Sequence, residues 1–299
     1  MRVHHEFDST VGRSNRGQSF HLNRKGLFLH AAGEFKRAGG TDLVLVHCPD
    51  FQSPPTTRSG HLETYNDTVA MAAEVREAHG LGVRVVLGPH PAAFAHQFEA
   101  WLDEDGEAGA ERAMANYRDS IDAAMELVHE GKAHAVGEVG RPHWPVSERI
   151  WDLSNALLEE TMGMARKEGI TLQLHVEGEL ESTYSSLATM ADRVGMDKRR
   201  LVRHYAPPTL TASITQGLTP SVLIGKGAIE EVIATATASS HGFLLETDYM
   251  DDVRRPGAVL GPKTVPKRTQ QLLNAGIDES FLWKAHQELP DFLYGPTEN

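Results

Sequence analysis

The stretch ERAMANYRDSIDAAMELVHEGKAHAVGE, residues 111–138, combines the two patterns that decide the fold. Residues 111–131 have the apolar periodicity of a helix, which Gly131 would close. Residues 133–138 follow as a short apolar run that ends in a charged residue, Glu138, and predict a buried strand. A helix followed at once by a buried strand is the repeating unit of an α/β fold.

The same alternation continues along the whole chain. Short apolar runs predict further strands at residues 42–47, 83–88, 171–176, 201–204, 221–225 and 242–248. Helical patterns lie between several of them, at residues 26–38, 67–79 and 147–169. Nearly continuous apolar strands separated by helices indicate a parallel sheet that is covered on both faces. Because no internal repeat or interdomain linker is visible, we predict that residues 1–299 form a single (β/α)8 TIM barrel, with seven strands accounted for.

The first strand of such a barrel is the irregular element. Residues 8–22, DSTVGRSNRGQSFHL, precede the first helix and contain few apolar residues, which is a poor composition for a buried strand. Either residues 1–7 supply a short substitute, or the barrel has an irregular first strand. Residues 49–66 form a long polar segment after the second strand, which we predict to be a loop at the active-site mouth.

Composition excludes several classes of protein. The chain has 29 Lys and Arg against 41 Asp and Glu, a net charge of -12, so it lacks the broad basic surface of a general nucleic-acid binder. This composition does not exclude a local basic groove. The sequence shows no signal peptide and no apolar run near the ~18 residues of a membrane span, so we expect a cytoplasmic protein without a membrane partner. The single cysteine, Cys48, leaves any metal to His and carboxylate ligands.

Residues able to bind a metal stand at the predicted C-terminal ends of four strands: Glu138, His175, His204 and Asp248. The active sites of (β/α)8 barrels are built at these ends. Each residue alone is more often a capping or hydrogen-bonding group. Together, two imidazoles and two carboxylates predict a site for divalent ions such as Zn²⁺, Mn²⁺ or Mg²⁺, one or two per chain. Glu246, two residues before Asp248 on the same face, should lie one layer deeper in the barrel.

The ordered motifs AVGEVGRPHWPVSE, LQLHVEG, VRHYAPP and LLETDYMDDVRRPG resemble the TatD-like metal-dependent hydrolases, specifically the archaeal TatD-related branch of the amidohydrolase superfamily. The resemblance runs from roughly residue 20 to the C-terminus. It implies that a His-x-His pair on strand one and Asp248 hold one metal, with His21 as the second His of the pair. It also implies that Glu138 bridges to a second metal held by His175 and His204.

The resemblance has one departure, since Ser19 stands where the family has the first His of the pair. One metal site should therefore lack a strong donor, and we expect reduced activity. The implied reaction is hydrolysis by metal-activated water, with Glu138 and Asp248 as the catalytic carboxylates and Asp248 orienting the water or taking its proton. His47 and His90, at the ends of strands two and three, are expected to orient loops or substrate.

Basic residues near the last strands suggest an anionic substrate. Lys226 follows strand seven, while Arg254 and Lys263 lie in the segment after strand eight, and loops at these positions frequently bind phosphate. Arg141 and His143 should line the pocket. We therefore expect a small-molecule phosphoester or a nucleic-acid end, with nucleic acid as substrate only. Alternatively, the basic residues only cap and solvate the last helix. Two other functions also fit the sequence: a catalytically impaired metal-binding barrel, and a lactone or amide hydrolase of the same superfamily.

Overall fold

The computed structural model describes residues 15–238, 242–257 and 259–296, and within them eight parallel strands close into a barrel in chain order. The strands are β1 (Arg16–His21), β2 (Asp42–Val46), β3 (Gly82–Leu87), β4 (Ala135–Gly140), β5 (Leu172–His175), β6 (Leu201–Ala206), β7 (Thr219–Leu223) and β8 (Leu244–Met250). The last strand pairs back onto the first, with His21 opposite Met250. The predicted (β/α)8 barrel is confirmed.

Helices connect the strands and cover the outside of the barrel. They are α1 (Leu29–Arg37), α2 (Arg58–His79), α3 (Pro91–Asp105), α4 (Glu107–His129), α5 (Glu148–Glu168), α6 (Glu181–Val194), α7 (Ala212–Thr215), α8 (Ile229–Ala238), α9 (Thr264–Asn274), α10 (Glu279–Trp283) and α11 (Leu289–Tyr294). A short 3-10 turn (Lys198–Arg200) precedes β6, and a π-helical turn (Lys284–Glu288) joins α10 to α11. None of the helices in the described part of the chain is long and apolar enough to cross a membrane.

The irregular first strand is also confirmed. The register of β1 shifts between Gly17 and Phe20 relative to β2, and Ser19 adopts a left-handed backbone with φ 51°. Phe20 anchors the strand: it is fully buried, with its ring 5.2 Å from that of Phe35. The other alternative for this strand, residues 1–7, lies outside the described residues.

Polar residues of β1 are buried because distant parts of the chain pair with them. Arg16 is 3% exposed, and its Nη1 donates to Asp291 Oδ1 at 2.7 Å. The backbone N–H of Arg16 donates to His286 Nδ1 at 3.1 Å. Burial of polar groups is tolerated when they are paired in this way. The C-terminal helices therefore stabilise a strand whose own sequence is unfavourable for the core.

The predicted loop at residues 49–66 is partly wrong, because α2 already begins at Arg58. Thr57 caps this helix by accepting a hydrogen bond from the backbone N–H of Gly60. The first turns bury polar side chains that find partners on α4: His61 Nε2 pairs with Asn116 Oδ1 at 3.0 Å, and Tyr65 with Ser120 at 2.6 Å. A helix whose buried face is polar has no apolar periodicity from which to predict it.

Candidate metal centre

Glu138 lies at the centre of a cluster of imidazoles at the C-terminal end of the barrel. Its side chain on β4 is 3% exposed. Four imidazole nitrogens lie 3.4 to 3.6 Å from its carboxylate oxygens, and they belong to His21, His90, His175 and His204. These histidines stand at the ends of β1, β5 and β6 or just beyond β3. The closed barrel thus brings ligand-type residues from four different strands around one buried carboxylate.

Asp248 completes one side of this cluster. Its Oδ1 lies 3.3 Å from His21 Nε2 and 3.9 Å from His204 Nδ1. The backbone of Asp248 is left-handed, with φ 48°, a conformation that costs of order 1–3 kcal/mol for a residue other than glycine. His21, Glu138 and Asp248 offer three ligand atoms within 4.8 Å of one another, enough to hold one ion.

The other side of the cluster is a row of imidazoles. His204 Nε2 lies 2.8 Å from His175 Nδ1, and His175 Nε2 lies 2.7 Å from His143 Nδ1. His90 also approaches, and it forms a second compact group of three possible ligands with Glu138 and His175. From the sequence we predicted that His90 orients loops or substrate, and not that it is a ligand. It lies beyond the apolar run of the third strand, so the strand pattern did not indicate it.

The cluster fits a divalent cation. The Nδ1 atoms of His21 and His204 are buried and have no hydrogen-bond partner among the described residues, so protein groups alone do not satisfy these two imidazoles. Imidazole nitrogens and carboxylate oxygens are the donors preferred by zinc, manganese and similar ions. Glu138 belongs to both three-ligand groups, so it is placed to bridge two ions.

Burial and charge shift the ionisation of these groups in opposite directions. Burial alone would raise the pKa of Glu138, but the imidazoles of His204 and His21 outweigh it and hold this pKa well below its usual range. Burial lowers the pKa of His204 and, with the charge of His175, that of His90. These shifts favour an ionised Glu138 and deprotonated His204 and His90, and metals bind the ionised form of a carboxylate and the deprotonated form of an imidazole.

His21 and Glu246 show the opposite behaviour. Burial opposes the charged form of His21, but the carboxylates of Glu138 and Asp248 raise its pKa well above the usual value. An ion bound at His21 must therefore displace a proton, which makes binding weaker at low pH. Burial, together with the charge of Asp248, raises the pKa of Glu246 well above its usual range, which favours the neutral form of this carboxyl.

Ser19 lies among these groups in the barrel interior. It is 1% exposed, and its hydroxyl donates to Glu246 Oε2 at 3.4 Å and accepts from Gln173 Nε2 at 2.7 Å. Gln173 also reaches Glu138 Oε1 at 3.4 Å. Residue 19 is thus a member of β1 that lies two hydrogen bonds from the Glu138 carboxylate.

The residues predicted to bind substrate have varied surroundings. His143 contacts His175 and lies within the imidazole row. Arg141 is buried and donates to Glu177 and to two uncharged side chains. Lys226 is exposed. Their binding of substrate stays a prediction.

The basic residues after β8 are paired with carboxylates. Arg254 Nε lies 3.1 Å from Asp252 Oδ1, and Lys263 Nζ lies 2.6 Å from Glu34 Oε1. Both basic side chains are well exposed, so these ion pairs are weak and exchangeable. The pairing neither requires nor prevents contact with an anionic substrate.

Comparison with known proteins gives the family of the chain and agrees with the fold. Residues 18–295 match the family model described as TatD related DNase. An uncharacterized protein of Methanocaldococcus jannaschii is 32% identical over 265 residues, which are 88% of this chain and 88% of the relative.

Two solved structures share the fold at low sequence identity. A TatD-like protein of Archaeoglobus fulgidus has a TM-score of 0.60 and 16% identity, with 93% of this chain and 99% of that chain covered. The phosphotriesterase homology protein of Escherichia coli, solved with phosphate in its active site, has a TM-score of 0.61 and 12% identity, with 97% and 100% covered.

A (β/α)8 barrel with a histidine and carboxylate cluster at the C-terminal ends of its strands is the arrangement of the amidohydrolase superfamily. Within that superfamily, the chain belongs to the TatD family of metal-dependent hydrolases. The family resemblance found in the sequence is confirmed.

Proposed function

We propose that this protein is a divalent-metal-dependent hydrolase of phosphoesters, including phosphodiesters at nucleic-acid ends. The observation that carries the proposal is the buried Glu138 carboxylate with four imidazole nitrogens within 3.6 Å of it. A structural role alone would not require so many imidazoles around one buried charge, whereas a metal centre does.

His21, Glu138 and Asp248, one of the two compact groups, would hold one ion. For the other ion we take the set that the family resemblance implies, Glu138 with His175 and His204, whose Nδ1 atoms each lie 3.4 Å from the Glu138 carboxylate. When bound, divalent ions of this kind activate water as a nucleophile and polarise a phosphoryl oxygen. The protein's own side chains must then orient the water, accept its proton and bind the substrate.

Asp248 is the carboxylate best placed to accept that proton. Glu138 is enclosed by imidazoles, and Glu246 is fully buried, where its carboxyl accepts from the backbone N–H of Tyr205. The side chain of Asp248 is 13% exposed at the mouth of the barrel, in contact with His21. Its proton could pass to solvent from there, which would restore the base for the next turnover.

A phosphoester is favoured over an acyl substrate by the basic loops after β7 and β8. Lys226 follows β7 and Arg254 and Lys263 follow β8 along the chain, and loops after these strands commonly bind phosphate in (β/α)8 barrels. The net charge of -12 argues for a small phosphoester or the end of a strand, because extended nucleic-acid binding needs a broad basic surface.

The test is hydrolysis by purified protein loaded with Zn²⁺, Mn²⁺ or Mg²⁺, with bis(p-nitrophenyl) phosphate and end-labelled single-stranded DNA as substrates. A simple lactone and a p-nitroanilide serve as acyl alternatives. We expect phosphodiester turnover that EDTA abolishes, and that Asp248→Asn lowers while the ion held by Glu138, His175 and His204 is retained. Turnover of only the lactone or anilide would replace the phosphoester proposal with an acyl hydrolase.

A catalytically impaired barrel is the second candidate, and Ser19 is the observation that favours it. The Ser19 hydroxyl is already engaged with Glu246 and Gln173, and a hydroxyl is a weaker ligand for divalent ions than imidazole. The ion set of His21 and Asp248 would then fill less readily than its neighbour. Metal bound tightly by a protein with no turnover on any of the four substrates would support this candidate.

A further inference from the structure

We propose that His90 is a catalytic hydrogen-bond donor to the anionic oxygen of the substrate and not a metal ligand. This inference rests on the proposed phosphoester hydrolysis and adds a role for an imidazole that the ligand sets leave unused. It depends on which ring nitrogen of His90 carries the proton, and a hydrogen bond from the backbone N–H of Ala92 determines this.

His90 caps the N-terminus of α3 with its own side chain. The backbone N–H of Ala92 donates to His90 Nδ1 at 3.1 Å. A backbone N–H can only donate, so Nδ1 must present its lone pair to it. In a neutral imidazole the proton then resides on Nε2, the nitrogen that lies 3.5 Å from Glu138 Oε2.

A protonated Nε2 cannot bind a metal. Although His90, Glu138 and His175 form a compact group, His90 could join it only by breaking the helix cap or by losing its second proton to become an anion. His175 and His204 have no such constraint. Their ring nitrogens face other imidazoles, which can accept or donate, so each can turn a lone pair toward an ion.

The ring of His90 is held at the mouth of the site by its neighbours. Its centroid lies 4.3 Å from that of His175 and 5.2 Å from that of Phe51, which meets it edge on. The side chain is 13% exposed, so substrate can reach it. A fixed N–H beside the bridging carboxylate is suited to stabilise the negative charge that grows on a phosphoryl oxygen during hydrolysis.

The first experiment measures the tautomer directly. Protein with ¹⁵N-labelled histidine is compared with and without Zn²⁺ by long-range ¹H–¹⁵N correlation spectra. We expect His90 to keep its proton on Nε2 in both states, while His175 and His204 show the shifts of zinc-bound nitrogens. A zinc-bound shift at His90 Nε2 would overturn the inference.

The second experiment uses His90→Asn, because Asn is itself a favoured N-cap and keeps α3 intact while removing the ring donor. We expect unchanged zinc stoichiometry, at least tenfold weaker binding of inorganic phosphate to the zinc-loaded protein, and a kcat on bis(p-nitrophenyl) phosphate lower by about 10²–10³-fold. His175→Asn is the matched control and should lose zinc.

The outcomes separate this inference from the proposed function. Loss of a zinc equivalent in His90→Asn, or unchanged phosphate affinity, would refute the donor role. A third outcome is that the unmodified protein hydrolyses no phosphoester, yet His90→Asn binds phosphate more weakly than it does. In that case His90 is a donor to the anion, and the proposed reaction is wrong. His90→Ala, which removes cap and donor together, shows how much of any effect comes from the helix.

Discussion

Replacing Glu138 with Gln removes the charge around which the whole cluster is arranged. Glu138 is shared by both ion sets, so Glu138→Gln should lose both metal equivalents and not only one. In metal-free protein it should also lower the free energy of unfolding. The His21 imidazole, whose pKa is raised by this carboxylate, is left with a buried proton and a weaker counter-charge.

The size of the loss follows from the burial of the pair. His21 and Glu138 are 5% and 3% exposed, and breaking a buried ion pair on one side typically costs ~3–5 kcal/mol. A raised His pKa stabilises the fold below the ordinary value of 6.5 and loses this effect as pH rises through the folded pKa. At pH 6 in EDTA we therefore expect a loss of about 3 kcal/mol, or roughly a hundredfold in the unfolding equilibrium, which shrinks at higher pH.

The matched control is Glu246→Gln. Glu246 is equally buried in the same barrel interior, but burial and the charge of Asp248 raise its pKa, which favours the neutral form. In Gln an amide oxygen can still accept from the Tyr205 backbone N–H. We expect this variant to stay within about 1 kcal/mol of the unmodified protein. Urea unfolding and metal analysis of both variants are the assays. Two metal equivalents retained by Glu138→Gln, or equal destabilisation by both variants, would refute the reasoning.

Three further predictions concern other parts of the chain. Metal titration should give one tight and one much weaker equivalent, and Ser19→His should strengthen the weaker one and raise turnover, since imidazole is the better ligand. Reversing the charge of Arg254 and Lys263 together should raise KM for phosphoesters and leave metal binding unchanged. Burial lowers the pKa of His286 to about 4, so on acidification the unfolded chain takes up this proton before the folded protein does. The free energy of unfolding should therefore fall by on the order of 3 kcal/mol as the pH drops from 6.5 toward 4. Urea unfolding of His286→Gln at each pH should show a smaller decline.

Each of these has its own contrary outcome. Two equally tight metals in the unmodified protein, or a Ser19→His variant no different from Ser19→Ala, would show that residue 19 does not limit the site. Unchanged KM after the double reversal would make Arg254 and Lys263 solvated surface groups. An equally steep pH dependence in His286→Gln would assign the decline to other residues.

Much of the fold could be predicted from the sequence because its cause is local. Seven strands are visible as short apolar runs, since a parallel strand buried on both faces must be apolar along its length. Glu138, His175, His204 and Asp248 were found by the same logic, because a ligand-type residue at the end of such a run lies at the active-site end of a barrel. The structure brings these four together; that they hold metal stays a prediction.

Tertiary structure decided what local pattern could not. The strand Arg16–His21 has a polar sequence, and it enters the barrel only because Asp291 and His286, some 270 residues away, satisfy its buried groups. The start of α2 was hidden for the same reason, since its buried polar side chains are paired with α4. The proposed role of His90 rests on two tertiary observations together, its hydrogen bond to the start of α3 and its distance from Glu138. Apolar burial leaves a periodic trace along the chain, whereas the pairing of polar groups depends on partners that only the folded chain brings within a few ångströms.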